Sequence, residues 1–181
     1  MGWLAKLLCA TPKPELQGIS LNVCQPFWEL EGKTTFPALL RALGRLLPEG
    51  SILYFEGGSP DRRLLGFFKQ NAIPEQVHIA TGTIWPRPDY WHGPATGKNI
   101  ADLSMLVEPY ATPAAAMHFH AYHEGKVLLE WHDAFSQPML LDGGLPENTV
   151  AALAGALGMQ FKLNERPVEP GGALDAAAPR Q

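Results

Sequence analysis

Three histidines and one glutamate in a short stretch of the chain could act as metal ligands or as acid–base groups. His118 and His120 stand two positions apart, and Glu130 and His132 repeat that spacing twelve residues later. Side chains two apart on a β-strand point to the same face, and facing side chains of paired strands lie about 5 Å apart. If both pairs share one face of a hairpin, their nitrogen and oxygen atoms match the ligands that Zn²⁺ takes in proteins.

The segment 115–133 is predicted to form this hairpin, and its register decides which side chains share a face. Separation of polar from apolar side chains favours a three-residue loop, which places His118 opposite Glu130. A two-residue loop at Glu124 and Gly125 would instead mix histidine with valine and tryptophan on both faces. We therefore expect the three-residue loop.

Two interpretations of this histidine-rich face remain open. Antiparallel strand pairs commonly expose one polar face to water, where histidine and glutamate are ordinary residents. Alternatively, the chain is a metal-binding protein or a metal-dependent hydrolase, in which Glu130 is a fourth Zn²⁺ ligand or activates a bound water. No HExxH pattern supports the second interpretation. The metal site would comprise His118, His120, Glu130 and His132.

A proline-rich segment, Trp85–His92, is the second candidate site. It is predicted to lie in a long loop and is rich in the aromatic and arginine side chains that dominate protein interfaces. Its prolines limit flexibility, which lowers the entropic cost of binding. In the alternative interpretation, the tryptophans of this loop fold back onto the core. The residues assigned to binding are Trp85, Arg87, Tyr90, Trp91 and His92.

Signatures of catalysis and of nucleotide binding are missing from the sequence. The Gly93–Asn99 segment has three residues between its glycines where a P-loop needs four, and no G-x-S-x-G elbow occurs. The sequence therefore favours a non-catalytic protein-interaction module without a cofactor, Zn²⁺ being the alternative. An inhibitor or immunity-type protein is one form of such a module.

Charge and hydropathy limit the partners that the chain could have. The 181 residues carry a net charge of −4 without a basic run, which argues against nucleic acid. No stretch approaches 18 consecutive apolar residues, so no membrane span is predicted. We expect a protein partner. Because the acidic residues are concentrated in the second half, that partner is expected to be the more basic of the two.

The predicted elements describe a single α/β or α+β domain with a mixed sheet of about five strands and packed helices. Alternation of strands and helices favours crossover units with parallel neighbours. The predicted organisation is an N-terminal arm and proline linker at 1–15, a globular domain at 16–163 and a disordered tail at 164–181. Strands are expected at 19–24, 51–56, 76–84 and in the hairpin, and helices at 35–47, 59–72, 99–106 and 145–158.

The N-terminal residues are not expected to form a secretory signal, because Lys6 interrupts a short apolar run. We therefore expect a cytoplasmic protein. In a reducing compartment, Cys9 and Cys24 are expected to be free thiols.

Overall fold

The computed structural model describes residues 18–81, 88–110, 112–133 and 136–165. The predicted N-terminal arm and nearly all of the predicted tail lie outside these residues. None of the helices in the described ranges is long and apolar enough to cross a membrane. The elements are β1 Phe27–Glu31, α1 Phe36–Leu43, β2 Ile52–Glu56, α2 Arg62–Asn71, β3 Tyr90–Pro94, α3 Gly97–Leu106, α4 Thr112–Ala115, β4 His118–His123, β5 Lys126–Trp131, β6 Met139–Asp142, α5 Glu147–Leu157 and β7 Gln160–Asn164.

The seven strands form one sheet in the order β3-β2-β4-β5-β6-β1-β7, and every strand pair is antiparallel. This confirms the predicted class in its α+β form, with seven strands instead of about five. The expected parallel neighbours are wrong, but crossovers occur: α1, α3 and α5 each lie between two strands that run in the same direction without being adjacent. Side chains from α1, α2, α3 and α5 belong to one core on one face of the sheet.

Helix α1 forms where the sequence combines a cap with an apolar stripe. Thr35 adopts an extended conformation and its hydroxyl accepts a hydrogen bond from the N–H of Ala38 at 3.3 Å. Its inward residues Leu39, Leu40 and Leu43 are fully buried, at the spacing that lets one helical face meet the sheet.

Two other helices begin one turn or less from their predicted starts. Asp61, not Ser59, caps α2, and its Oδ1 accepts from the N–H groups of Arg63 and Leu64 at 2.8 and 2.9 Å. Thr96 caps α3 in place of Asn99. In both cases another capping residue within three positions of the expected one accepts from the free N–H groups of the first turn.

The second face of the sheet is covered by chain without helical or strand structure. Residues 19–24 were predicted as a strand but contribute only an isolated bridge, Ile19 with Ile79. The predicted strand at 76–84 is likewise reduced to that bridge within the described residues 76–81. These two segments complete a smaller core around Leu21, Val23 and Ile79. The side of the sheet that carries the histidines is therefore covered.

Cys24 corrects one expectation from the sequence. Its sulfur is disulfide-bonded, so the predicted free thiol at this position is wrong. The half-buried Cys24 follows directly after the covering segment and its N–H donates to the side chain of Asn22 at 3.1 Å. The free thiol was predicted from a reducing cytoplasmic location, and the disulfide speaks against that location because disulfides persist mainly in oxidising compartments. The location stays a prediction.

Candidate functional site

The hairpin β4–β5 closes with a two-residue turn, which overturns the predicted three-residue loop. Glu124 and Gly125 both have positive φ angles, 48° and 75°, as in the type I′ turns of tight hairpins. A β-bulge farther along the strands then shifts the register, so that His120 lies opposite Glu130. The predicted pairing of His118 with Glu130 is wrong by two positions along β4.

The bulge explains why the separation of polar from apolar side chains predicted a loop of the wrong length. It adds one residue to β5, and this restores the separation that a two-residue turn alone would lose. Phe119 pairs with Trp131 on the helix side, while His120 and Glu130 point to the second face. The expected grouping of the four candidate ligands on one face thus holds in a different register.

The histidine-rich face is buried. His120 is 0%, Glu130 2% and His118 9% exposed. Apolar side chains from the two covering segments, Leu21 and Ile79 among them, form a buried cluster on the same side. The interpretation of this face as an ordinary solvated surface is therefore wrong, because solvent reaches little of it.

His132 connects the cluster. Its Nδ1 lies 3.2 Å from Nδ1 of His118, and its Nε2 lies 3.4 Å from Oε2 of Glu130. The ring centroids of His120 and His132 are 4.8 Å apart and nearly perpendicular. The two ring nitrogens of His132 therefore face an imidazole nitrogen on one side and a carboxylate oxygen on the other.

His120 is the least satisfied member of the cluster. Neither of its ring nitrogens makes a hydrogen bond to the described residues, and its Nδ1 stands 3.8 Å from Oε1 of Glu130. Burial lowers the pKa of His120 well below its usual value, and the nearby rings of His132 and His118 lower it further. His120 is thus a buried neutral imidazole whose lone pair has no hydrogen-bond donor among the described residues.

Burial also lowers the pKa of His118, and the charge of His132 acts in the same direction, while the carboxylates of Glu56 and Asp133 oppose both. The N–H of Asp133 approaches Nδ1 of His118 at 3.4 Å. Asp133 holds a positive φ of 54°, a conformation that non-glycine residues rarely adopt. This bend follows directly after His132, at the end of β5.

The carboxylate of Glu130 has a different neighbour on each oxygen. Oε1 accepts the backbone N–H of Leu21 at 2.5 Å, and Oε2 faces His132. A buried carboxylate needs such donors to remain ionised. Glu130 therefore joins the histidine cluster to the segment that covers it.

Sequence reasoning missed a second carboxylate beside the cluster. Glu56 is fully buried and is the register partner of His118 across β2 and β4. Its carboxylate accepts hydrogen bonds from the hydroxyls of Tyr54 and Thr81, the latter at 3.0 Å. Glu56 ends a predicted strand and precedes two glycines, so the sequence predicted it to be a turn residue. Its position at the end of an otherwise apolar strand could have indicated that its carboxylate is buried.

A tyrosine–histidine pair lies on the same face of the sheet. The hydroxyl of Tyr122 and Nδ1 of His92 are 2.9 Å apart and buried. Burial, with a smaller effect of Glu75, raises the pKa of Tyr122 to about 12. Tyr122 therefore stays protonated and can donate to His92.

The candidate binding segment Trp85–His92 is only partly a loop in the described chain. Trp85 and Arg87 lie outside the described residues, whereas Tyr90, Trp91 and His92 form the start of β3. Trp91 is half-buried and stacks on Phe68 with 4.7 Å between ring centroids. At least one side chain of this segment, Trp91, therefore packs against the core of the domain.

The donor atoms of the histidine cluster are near one another but are not arranged around a common ion. In the parts of the chain that the structure describes, no group of three or more His, Cys, Asp or Glu side chains has metal-holding geometry. The gap between His120 and Glu130, 3.8 Å, is wider than the separation of about 3.3 Å between two ligand atoms on a tetrahedral Zn²⁺ ion.

Comparison with known proteins adds no family to this picture. The chain matches no protein-family model, no curated protein and no solved structure. The function has to be argued from the geometry of the site alone.

Proposed function

We propose that the protein binds a divalent transition-metal ion, Zn²⁺ in the first place, through His120, Glu130 and His132. These are the nitrogen and oxygen ligands that Zn²⁺ takes, and three protein ligands leave a position for water, as in catalytic zinc sites. The observation that carries the proposal is His120, a fully buried neutral imidazole whose two nitrogens lack hydrogen bonds within the described residues.

The distances support this choice of ligands. Nε2 of His132 is 3.4 Å from Glu130 Oε2, close to the separation of about 3.3 Å expected for two atoms bound to one tetrahedral Zn²⁺ ion. The other nitrogen of His132 faces His118. Metal-ligating histidines usually donate their second N–H to such an acceptor, which fixes the tautomer. His118 is therefore assigned a supporting role and not a place among the ligands.

Electrostatics favour a cation at this position. Glu130 brings a buried carboxylate oxygen to 3.4 Å from Nε2 of His132. A Zn²⁺ ion bound there would accept an electron pair from each of these groups and from a ring nitrogen of His120.

Calorimetric titration of chelator-treated protein with ZnCl₂ tests the proposal. We expect one ion per chain for the wild type, and loss of binding for His120→Ala and His132→Ala. His123→Ala at the hairpin tip is the matched control, since it removes an imidazole outside the cluster, and it should bind as the wild type does. Wild-type protein that takes up no Zn²⁺, or His120→Ala that binds normally, contradicts the proposal.

Recognition of a partner protein is the second candidate function. The observation that favours it is the position of β3 at an edge of the sheet, three positions after Arg87, where the described chain adds only an isolated bridge from Ile73 to His92. Edge strands can accept a further strand from a partner. Arg87→Ala and Tyr90→Ala should weaken capture of any partner that the wild type retains in a pull-down, and unchanged capture would remove this candidate.

A further inference from the structure

A groove lies between helices α1 and α5, on the side of the sheet away from the histidine cluster. It encloses about 530 Å³, within the range of roughly 300–1,000 Å³ that is common for binding pockets. Its two buried lining residues, Leu46 and Leu153, are 6% and 4% exposed. The groove is therefore a depression with an apolar floor in the helical layer of the domain.

Short side chains on the two helices keep the groove open. Ala152 and Ala156 are exposed on α5, and no residue of this helix after Glu147 is charged. The outer face of a surface helix is normally charged or polar. Here the alanines leave room for another backbone to approach, since the side chains at a contact set the distance between two helix axes, about 8–10 Å. The alanines that line the groove are Ala38, Ala42, Ala152 and Ala156.

Two arginines border the groove on the side of α1. Arg41 pairs with Glu108 at 3.1 Å, but both side chains are more than half exposed, and exposed ion pairs contribute little to stability. Arg45 is exposed and makes no ion pair with any side chain in the described part of the chain. No Asp or Glu is among the described residues that line the groove. The groove thus combines an apolar floor with a positive rim.

A positive rim stands out in a chain of net charge −4. Because interfaces bring positive groups against negative ones, carboxylates beside an apolar stripe would match both parts of the groove. A helix can present such a stripe through its residues i, i+3, i+4 and i+7. From Ala38 to Arg45 the groove extends over about 10 Å at about 1.5 Å per residue, which corresponds to two turns of a docked helix.

We propose that this groove binds an acidic amphipathic helix of a partner protein. The apolar stripe of that helix packs on Leu46 and Leu153 between the alanines, and its Asp or Glu side chains pair with Arg41 and Arg45. The site is separate from the histidine cluster and from strand β3, so it rests on neither proposed function. The docking segment is acidic, in contrast to the more basic partner expected from the overall charge, because the local charge of the groove acts at contact.

Fluorescence anisotropy with labelled synthetic peptides tests the proposal. Three peptides of about 16 residues share one leucine stripe at helical spacing and carry Glu, Gln or Lys on the opposite face. We expect the Glu peptide to bind the wild-type chain about tenfold more tightly than the Lys peptide does. Its affinity should fall as NaCl is added, since salt screens exposed charges.

Two variants locate the binding. Arg45→Glu reverses a charge at the rim, and Ala152→Trp fills the groove, so each should weaken binding of the Glu peptide by about tenfold or more. Lys69→Glu is the matched control, because it makes the same change of charge on an exposed position of α2 outside the groove. It should bind within about twofold of the wild type. Arg45→Glu alters an exposed side chain and keeps the test decisive if Ala152→Trp does not fold.

Wild-type protein that binds no Glu peptide, or that binds the Glu and Lys peptides equally, overturns the proposal. Unchanged binding by Arg45→Glu overturns it as well. Sedimentation velocity covers a second copy of the chain as the occupant, through a wild-type dimer that Ala152→Trp dissociates. Peptide binding that appears only after removal of residues 166–181 would assign the groove to that segment of the same chain. Either of these two results contradicts a partner helix as the occupant.

Discussion

His120 and Glu130 are cross-strand partners at the centre of the sheet, with 3.8 Å between Nδ1 and Oε1 and almost no exposure to solvent. One is a neutral base without a hydrogen-bond partner in the described chain, and the other is a carboxylate with donors on both oxygens. Such a pair in a protein interior is costly unless a further group satisfies it. This cost is the reason to look for a ligand there.

The stability of the metal-free protein should depend on pH through His118 and His120. Burial lowers the pKa of both in the folded state, whereas the unfolded chain protonates them near about pH 6.5. Below that pH the unfolded state binds more protons, so the free energy of unfolding falls as the pH falls, by up to about 1.4 kcal/mol per pH unit for each histidine.

Urea denaturation between pH 7.5 and 5.5 in the presence of a chelator measures this dependence. His120→Gln removes one of the two groups and should give a shallower slope than the wild type. An identical slope in His120→Gln would contradict the assignment of His120 as a buried neutral base.

Substitution at His118 and at His120 should affect Zn²⁺ differently. His118 contacts the far nitrogen of His132, so His118→Ala should weaken Zn²⁺ binding by about 10- to 100-fold, as for other groups that orient a ligand. His120→Ala removes a ligand and should abolish binding. Calorimetry of the two variants side by side gives the comparison, and equal losses would place His118 among the ligands.

Trp91→Ala should destabilise the domain. The indole stacks on Phe68 at 4.7 Å and packs against the main core, so its truncation should lower the free energy of unfolding by about 3 kcal/mol. Trp91→Phe keeps a stacked ring and serves as the control. A thermal midpoint that is unchanged in Trp91→Ala would indicate that this side chain is free for binding.

Glu124→Asn should stabilise the hairpin. Glu124 occupies a left-handed conformation with φ 48°, which asparagine tolerates better than other non-glycine residues, so a gain of up to about 1 kcal/mol in the free energy of unfolding is expected. Glu124→Val, which is β-branched, should have the opposite effect. Chemical denaturation of both variants checks the turn, and a loss of stability in Glu124→Asn would speak against it.

Elements with a strong local pattern could be predicted from the sequence. Thr35 and the leucines behind it define α1, Gly158 ends α5 in the left-handed conformation, and β2 follows its apolar run to Glu56. In each case the deciding interactions lie within one turn or one strand. Neighbouring residues therefore carried enough information.

The histidine cluster shows what local patterns could not supply. The members of the cluster were predicted together, but the strand register depended on a β-bulge. The burial of the cluster depended on the segment around Leu21, more than 100 positions away from Glu130. Leu21 and Glu130 have no sequence pattern in common. Only the fold brings the backbone of one to the carboxylate of the other, which is why the face was open to interpretation as solvated.

Strand β1 lies between β6 and β7, so the first strand in the described chain pairs with the last two. Glu29 pairs with Leu140 on one side, and the Asn164 amide, 135 positions away, donates to the Glu29 carboxylate on the other. Contacts this distant in sequence form slowly, because a long loop must close before they are gained. On the ribosome, Phe27–Glu31 stays unpaired until residues 139–164 have emerged, so its apolar side chains are open to chaperone binding and to aggregation during synthesis.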